Sequence, residues 1–163
     1  MEVSRRSIAK ALPVGIVAAL TAPAIANATP DVPAAEQMRV YKRLERGFKE
    51  LGAMSDSDVV QLAQQIQDKR NQPTTYVSLP GVAGIISCIL NALWIFRQGT
   101  DKNRIIGQLT DVVVGCIGIP LGTTLTLKLS RMIWDNRQKI IAALSAAGLT
   151  VSQLAPLQNA PRP

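Results

Sequence analysis

VSLPGVAGIISCILNALWIF, residues 77–96, contains no charged side chain over twenty positions. As an α-helix rising about 1.5 Å per residue, it would measure about 30 Å, the thickness of the hydrocarbon core of a bilayer. Tyr76 precedes the stretch, and Trp94 and Phe96 lie at its end beside Arg97. Aromatic side chains in these positions are typical of a membrane–water interface. The stretch therefore predicts an apolar helix that can span a membrane, with Tyr76, Trp94 and Phe96 at the interfaces.

A second uncharged run covers residues 112–127 and is rich in glycine. Gly115, Gly118 and Gly122 recur at three- and four-residue spacing, a pattern that lets helices approach closely in membranes. The run predicts a second apolar helix and a role for these glycines in helix association, within the chain or in a homo-oligomer. Residues 123–129 leave an alternative open, because polar and apolar side chains alternate there as they do in a half-buried strand.

Each apolar run contains one of the two cysteines. Cys88 and Cys116 are equally far from Lys102, so an antiparallel hairpin that turns near Lys102 brings them to a similar depth. An oxidising compartment would allow the pair to form a disulfide, which closes a loop and stabilises the fold. The spacing favours this bridge. The alternative is a pair of free thiols that act as small apolar core residues.

The sequence on both sides of the apolar hairpin predicts amphipathic helices. Apolar side chains recur every three to four residues within 34–72, which predicts a helical hairpin with one buried stripe. Residues 129–163 predict an amphipathic helix, followed by a disordered tail that is rich in proline. Trp134 in this helix is a further candidate for the membrane interface. The predicted fold is all-α, with a glycine-rich apolar hairpin at 73–128 flanked by amphipathic helices.

Residues 1–28 have the organisation of an export signal. A segment with two adjacent arginines is followed by a moderately apolar run and by small residues that end at Ala28. SRRSIAK, residues 4–10, resembles the twin-arginine motif of exported actinobacterial proteins, and the resemblance implies a route of export without implying a fold or an activity. An ordinary secretory signal and an uncleaved anchor are the alternatives. Cleavage after Ala28 would leave a proline-punctuated linker at 29–33.

The composition argues against several classes of function. The 163 residues include no histidine, which excludes histidine-based triads and histidine-ligated metal sites. Two cysteines cannot form a four-ligand zinc site, and no phosphate-binding, dinucleotide-binding or calcium-binding motif is present. The net charge is +7, but the bases alternate with glutamates and no groove-reading motif occurs, so nucleic acid is not an expected partner. The sequence predicts neither an enzyme nor a cofactor.

Two functions remain as hypotheses. The first is an exported, membrane-associated helical protein that forms a pore or channel in the cell envelope, with the lipid membrane as its partner. The second is a soluble secreted helical domain, stapled by a disulfide, that binds a protein partner. The two differ in what surrounds the apolar hairpin, which is lipid in the first and the protein's own core in the second.

Overall fold

The computed structural model describes residues 32–70 and 81–163, and in this part of the chain it contains eight α-helices and no strand. The all-α prediction is confirmed. The predicted export signal, most of the predicted linker and Tyr76 lie outside the described residues. The helices are α1 Ala34–Ala53, α2 Asp56–Arg70, α3 Gly81–Leu90, α4 Leu93–Gln98, α5 Ile105–Ile117, α6 Thr123–Asp135, α7 Arg137–Ala146 and α8 Val151–Gln158.

Contacts divide the chain into two compact units, Met1–Glu36 and Gln37–Pro163. In the first unit, the described residues open α1, where the Glu36 N–H donates to the carbonyl of Pro33 at 3.0 Å. The second unit contains the helical fold. All packing described below belongs to it.

The helices α1 and α2 are amphipathic, as their periodicity predicts. The helix α2 begins at a cap in which the Asp58 N–H donates to the Ser55 hydroxyl at 3.1 Å. Asp56 and Asp58 lie in its first turn and Lys69 and Arg70 in its last turn, an arrangement that complements the helix dipole. The buried side chains of the two helices are Val40, Tyr41, Leu44, Phe48, Leu51, Val59, Ala63 and Ile66.

The first apolar run forms a bent stretch of two helices, α3 and α4, that meet at Asn91 and Ala92. The N–H groups of these two residues donate to the carbonyls three positions earlier, at 3.1 and 2.9 Å, so the i to i−4 ladder is interrupted. The side-chain oxygen of Asn91 accepts a hydrogen bond from Arg70. By length and composition Gly81–Gln98 can cross a membrane, yet 44% of it is buried inside the protein. The apolar helix predicted from this run is present, and it is bent at Asn91 and Ala92.

The second apolar run ends as a helix at Ile117, so the prediction that its three glycines share one helix is wrong. Gly118 adopts the left-handed conformation, with φ at 74°, and its N–H donates to the Val114 carbonyl. Glycine adopts this conformation without the steric cost that a Cβ atom brings, which explains the helix end. Gly115 lies inside α5, whereas Gly122 precedes α6 and its N–H donates to Gln37 at 2.9 Å. Residues 123–129 are helical, and the strand alternative is wrong.

The C-terminal third consists of three helices and an anchored tail. The helix predicted from 129 onward breaks at Asn136, between α6 and α7. Gly148, with φ at 103°, follows α7, and Thr150 forms a capping box with Gln153 at the start of α8. The sequence predicts a disordered tail after α8, but the structure places this segment against the fold. Ala160 is buried, and its carbonyl accepts a hydrogen bond from the Trp134 indole at 2.8 Å.

One hydrophobic core joins all eight helices. The helix α7 packs against α2 and α3, while α5 packs against α3 and α6. The bent apolar stretch supplies a large share of this core, and its side chains lie in one cluster with those of the amphipathic helices. Phe96, which the sequence predicts to lie at a membrane interface, is only 2% exposed and packs in this core. The buried side chains of the stretch are Ile85, Ile86, Cys88, Ile89, Leu90, Ala92, Ile95 and Phe96.

Candidate functional site

A groove of about 520 Å³ lies between α1, α3 and the end of α5. This volume falls within the range of about 300–1,000 Å³ that is usual for small-molecule sites. Most of its lining is apolar, and the charged side chains at the groove all come from α1. The lining residues are Val40, Arg43, Leu44, Arg46, Gly47, Glu50, Gly81, Gly84, Ile85, Ser87, Cys88, Val113, Cys116, Ile117 and Ile119.

A glycine in α1 explains how the two walls of the groove approach each other. A Cβ atom on Gly47 would overlap Cδ1 of Ile85 and would lie 3.3 Å from the carbonyl oxygen of Gly81. Because glycine has no side chain, α1 can lie directly against the first turn of α3. This contact places the neighbouring α1 side chains, including Arg46, along one edge of the groove.

A disulfide between Cys88 and Cys116 lies at the groove and joins α3 to the last turn of α5. The two Cα atoms are 5.8 Å apart, which is an ordinary separation for a bridge. Cys88 is buried, whereas Cys116 is exposed, and the side-chain amide of Asn91 donates to the Cys116 sulfur at 3.9 Å. The predicted pairing of the cysteines is confirmed. The bridge fixes the wall of the groove formed by α3 relative to that formed by α5.

The charged edge of the groove carries Arg43, Arg46 and Glu50, all exposed. Spacings of three and four residues place these side chains on one side of α1. Neither arginine makes an ion pair within residues 32–70 and 81–163. Two positive charges and one negative charge leave the edge with a net charge of +1. The arrangement suits a ligand with an apolar body and an anionic end.

The two tryptophans that were predicted to lie at a membrane interface have different surroundings. Trp94 is 56% exposed on α4. Trp134 is partly buried, and the Arg137 guanidinium stacks on its ring at 3.9 Å from the centroid. Together with the hydrogen bond from its indole to the C-terminal segment, this contact gives Trp134 a structural role in holding Ala160. Trp94 is therefore the more exposed of the two tryptophans.

The functional groups at the groove are the Ser87 hydroxyl, the disulfide and the three charged side chains of α1. Within the described parts of the chain, no group of three histidine, cysteine, aspartate or glutamate side chains could hold a metal ion. Ser87 lies at the groove, but the sequence contains no histidine to act as its base. The pKa of Tyr41, on the buried side of α1, is raised by burial and then by the negative charge of Glu45.

The groove is not predicted by the sequence, in which the basic residues of α1 alternate with glutamates. The available signal was Gly47 in the middle of an amphipathic helix, beside the basic residues, since an interior glycine marks a close approach of another backbone. The segment that approaches Gly47 is the first turn of α3, which is distant in sequence, so no local pattern predicts this contact. No family model, curated protein or solved structure matches this chain.

Proposed function

We propose that this chain is an exported helical binding domain that is stapled by a disulfide. Its apolar hairpin is part of the protein core, and its binding site is the groove between α1, α3 and α5. One observation carries the proposal. The first uncharged run supplies eight buried core side chains, the second supplies Val113, and the disulfide joins the two runs beside the groove.

The burial of the bent stretch supports a self-contained fold. Six large side chains of α3 and α4 are at most 4% exposed, and burying each contributes about 1.5–3 kcal/mol. Transfer of the stretch into lipid would also remove its side chains from water. It would, however, expose to water the apolar side chains of the other helices that now pack against the stretch. Those on α5 include Ile105 and Leu109, which are fully buried. The closed arrangement is favoured because it shields both sets.

The disulfide agrees with export. Structural disulfides persist in oxidising compartments and are rare in the cytosol. The predicted signal at 1–28 would deliver the chain to such a compartment, and the bridge between Cys88 and Cys116 would form there. A protein partner is less well supported than a small ligand, because a groove of about 520 Å³ has room for about one turn of a helix 10–12 Å wide.

Fractionation tests this proposal. The full chain is expressed, membranes are separated, and the membranes are washed with carbonate. We expect release into the soluble fraction, a monomer without detergent, and a single cooperative thermal transition. Retention in the washed membranes would refute the self-contained domain.

A membrane-associated protein, with a pore as its extreme form, is the second candidate. It is favoured by the incomplete burial of Gly81–Gln98 and by the exposure of Trp94. The chain contains two tryptophans, so Trp134→Phe leaves Trp94 as the only one and Trp94→Phe provides the matched control. Insertion of the hairpin predicts a blue shift of Trp94 emission on addition of anionic phospholipid vesicles, together with conductance across planar bilayers. The binding domain predicts neither.

A further inference from the structure

We propose that the groove binds a long-chain fatty acid, with the acyl chain on the apolar floor and the carboxylate at Arg43 and Arg46. This inference rests on the proposed function, because it assigns a ligand class to the same groove.

The floor of the groove suits an unbranched hydrocarbon chain. It is formed by aliphatic side chains from α1, α3, α5 and the loop that follows α5, together with the disulfide. Gly47 and Gly84 add no side chains to the walls. The aliphatic lining residues are Val40, Leu44, Ile85, Val113, Ile117 and Ile119.

The edge of the groove suits a single negative charge. The guanidinium groups of Arg43 and Arg46 are exposed and lack ion-pair partners in the described part of the chain. A guanidinium binds a carboxylate through two parallel N–H···O bonds. Glu50 is the third charge at this edge and reduces the net charge to +1, which matches a monoanion better than a phosphate dianion.

The groove also distinguishes a lipid chain from a peptide helix. A helix with its side chains occupies about 500 Å³ per turn, so the available volume holds about one turn, which is too little for a stable helix-in-groove contact. An acyl chain needs no backbone hydrogen bonds and fills a narrow apolar space along its length. The observations therefore favour a small amphiphile over a protein segment.

Calorimetric titration of the purified, oxidised full chain tests the inference, with octanoate, decanoate and laurate as probes below their micellar concentrations. We expect affinity to rise by about fourfold for each added methylene group, the value that corresponds to burial of the chain. Lauryl alcohol, which lacks the charge, is expected to bind about tenfold more weakly than laurate. Dodecyl phosphate is also expected to bind more weakly than laurate because of Glu50.

Two charge-matched double variants locate the headgroup. Arg43→Gln with Arg46→Gln is expected to weaken laurate about tenfold and to leave lauryl alcohol unchanged. Arg97→Gln with Lys102→Gln removes the same charge from exposed positions outside the groove and is expected to leave both affinities unchanged. Circular dichroism melts confirm that both variants fold.

The outcomes separate failure of the ligand from failure of the proposed function. Equal weakening of laurate by the two double variants, or affinity that does not depend on chain length, would overturn the fatty-acid site. Tighter binding of dodecyl phosphate than of laurate would overturn the carboxylate. A folded, carbonate-released chain that binds none of the five amphiphiles refutes this inference alone, whereas retention in washed membranes refutes the binding domain itself.

Discussion

Removal of the disulfide is expected to cost this protein a large part of its stability. The bridged residues are 28 positions apart, and the chain-entropy model gives about 12 cal/mol/K for a loop of this length, or about 3.6 kcal/mol at 25 °C. The free energy of unfolding of a small domain is about 5–15 kcal/mol. Because α4 lies within the closed loop, reduction frees a long segment of the unfolded chain.

Urea unfolding followed by circular dichroism measures this effect. We expect Cys88→Ala with Cys116→Ala, and the wild-type chain under reductant, to unfold at a urea concentration lower by about 1–4 M, since the slope is about 1–3 kcal/mol/M. Addition of reductant to the double variant is the control and should change nothing. A loss below about 1 kcal/mol in the reduced wild-type chain would refute the reasoning that the bridge constrains the unfolded state.

Three further predictions follow from single sites. Gly118→Ala is expected to lower the free energy of unfolding by about 1–2 kcal/mol because of its positive φ, and Gly115→Ala, where the added Cβ meets open space, to raise it by about 0.5–1 kcal/mol. Thermal melts that shift equally in both variants would contradict this. Thr110→Val is expected to cost about 1–3 kcal/mol, because the buried Ser130 hydroxyl loses its partner at 2.8 Å; adding Ser130→Ala should recover part of the loss, and identical midpoints for the single and double variants would argue against it. Burial raises the pKa of Tyr41 above 10.0, so the stability that its protonated hydroxyl contributes is present below pH 10.0 and is lost as the pH rises through the folded pKa. In urea unfolding measured as a function of pH, the free energy of unfolding of Tyr41→Phe should fall less steeply at alkaline pH than that of the wild-type chain. An equal fall in the two proteins would exclude this contribution.

The elements that sequence patterns predict well are those with local causes. The helices α1 and α2 follow from apolar side chains that recur every three to four residues. The pairing of Cys88 with Cys116 follows from a simple fold-back of the chain. Each of these inferences needs only the identity and spacing of nearby residues.

The elements that the patterns miss depend on contacts between distant residues. Phe96 is an aromatic residue at the end of an apolar run, a position typical of a membrane interface. In the structure its side chain packs in the core, which depends on contacts with distant residues. Trp134 contacts Ala160 through a hydrogen bond that no helical period indicates. At the candidate site, Arg43 and Arg46 become the edge of a groove only because Gly47 lets α3 approach.

The sequence by itself determined that this protein is helical and that two long stretches of it carry no charged side chain. Hydropathy measures the free energy of leaving water, and a lipid tail and a protein interior are nearly equally favourable destinations for an isoleucine side chain. Only the tertiary structure shows which protein surfaces cover the first stretch. It supplies the apolar faces of the surrounding helices, which bury most of the large side chains of the stretch in a protein core.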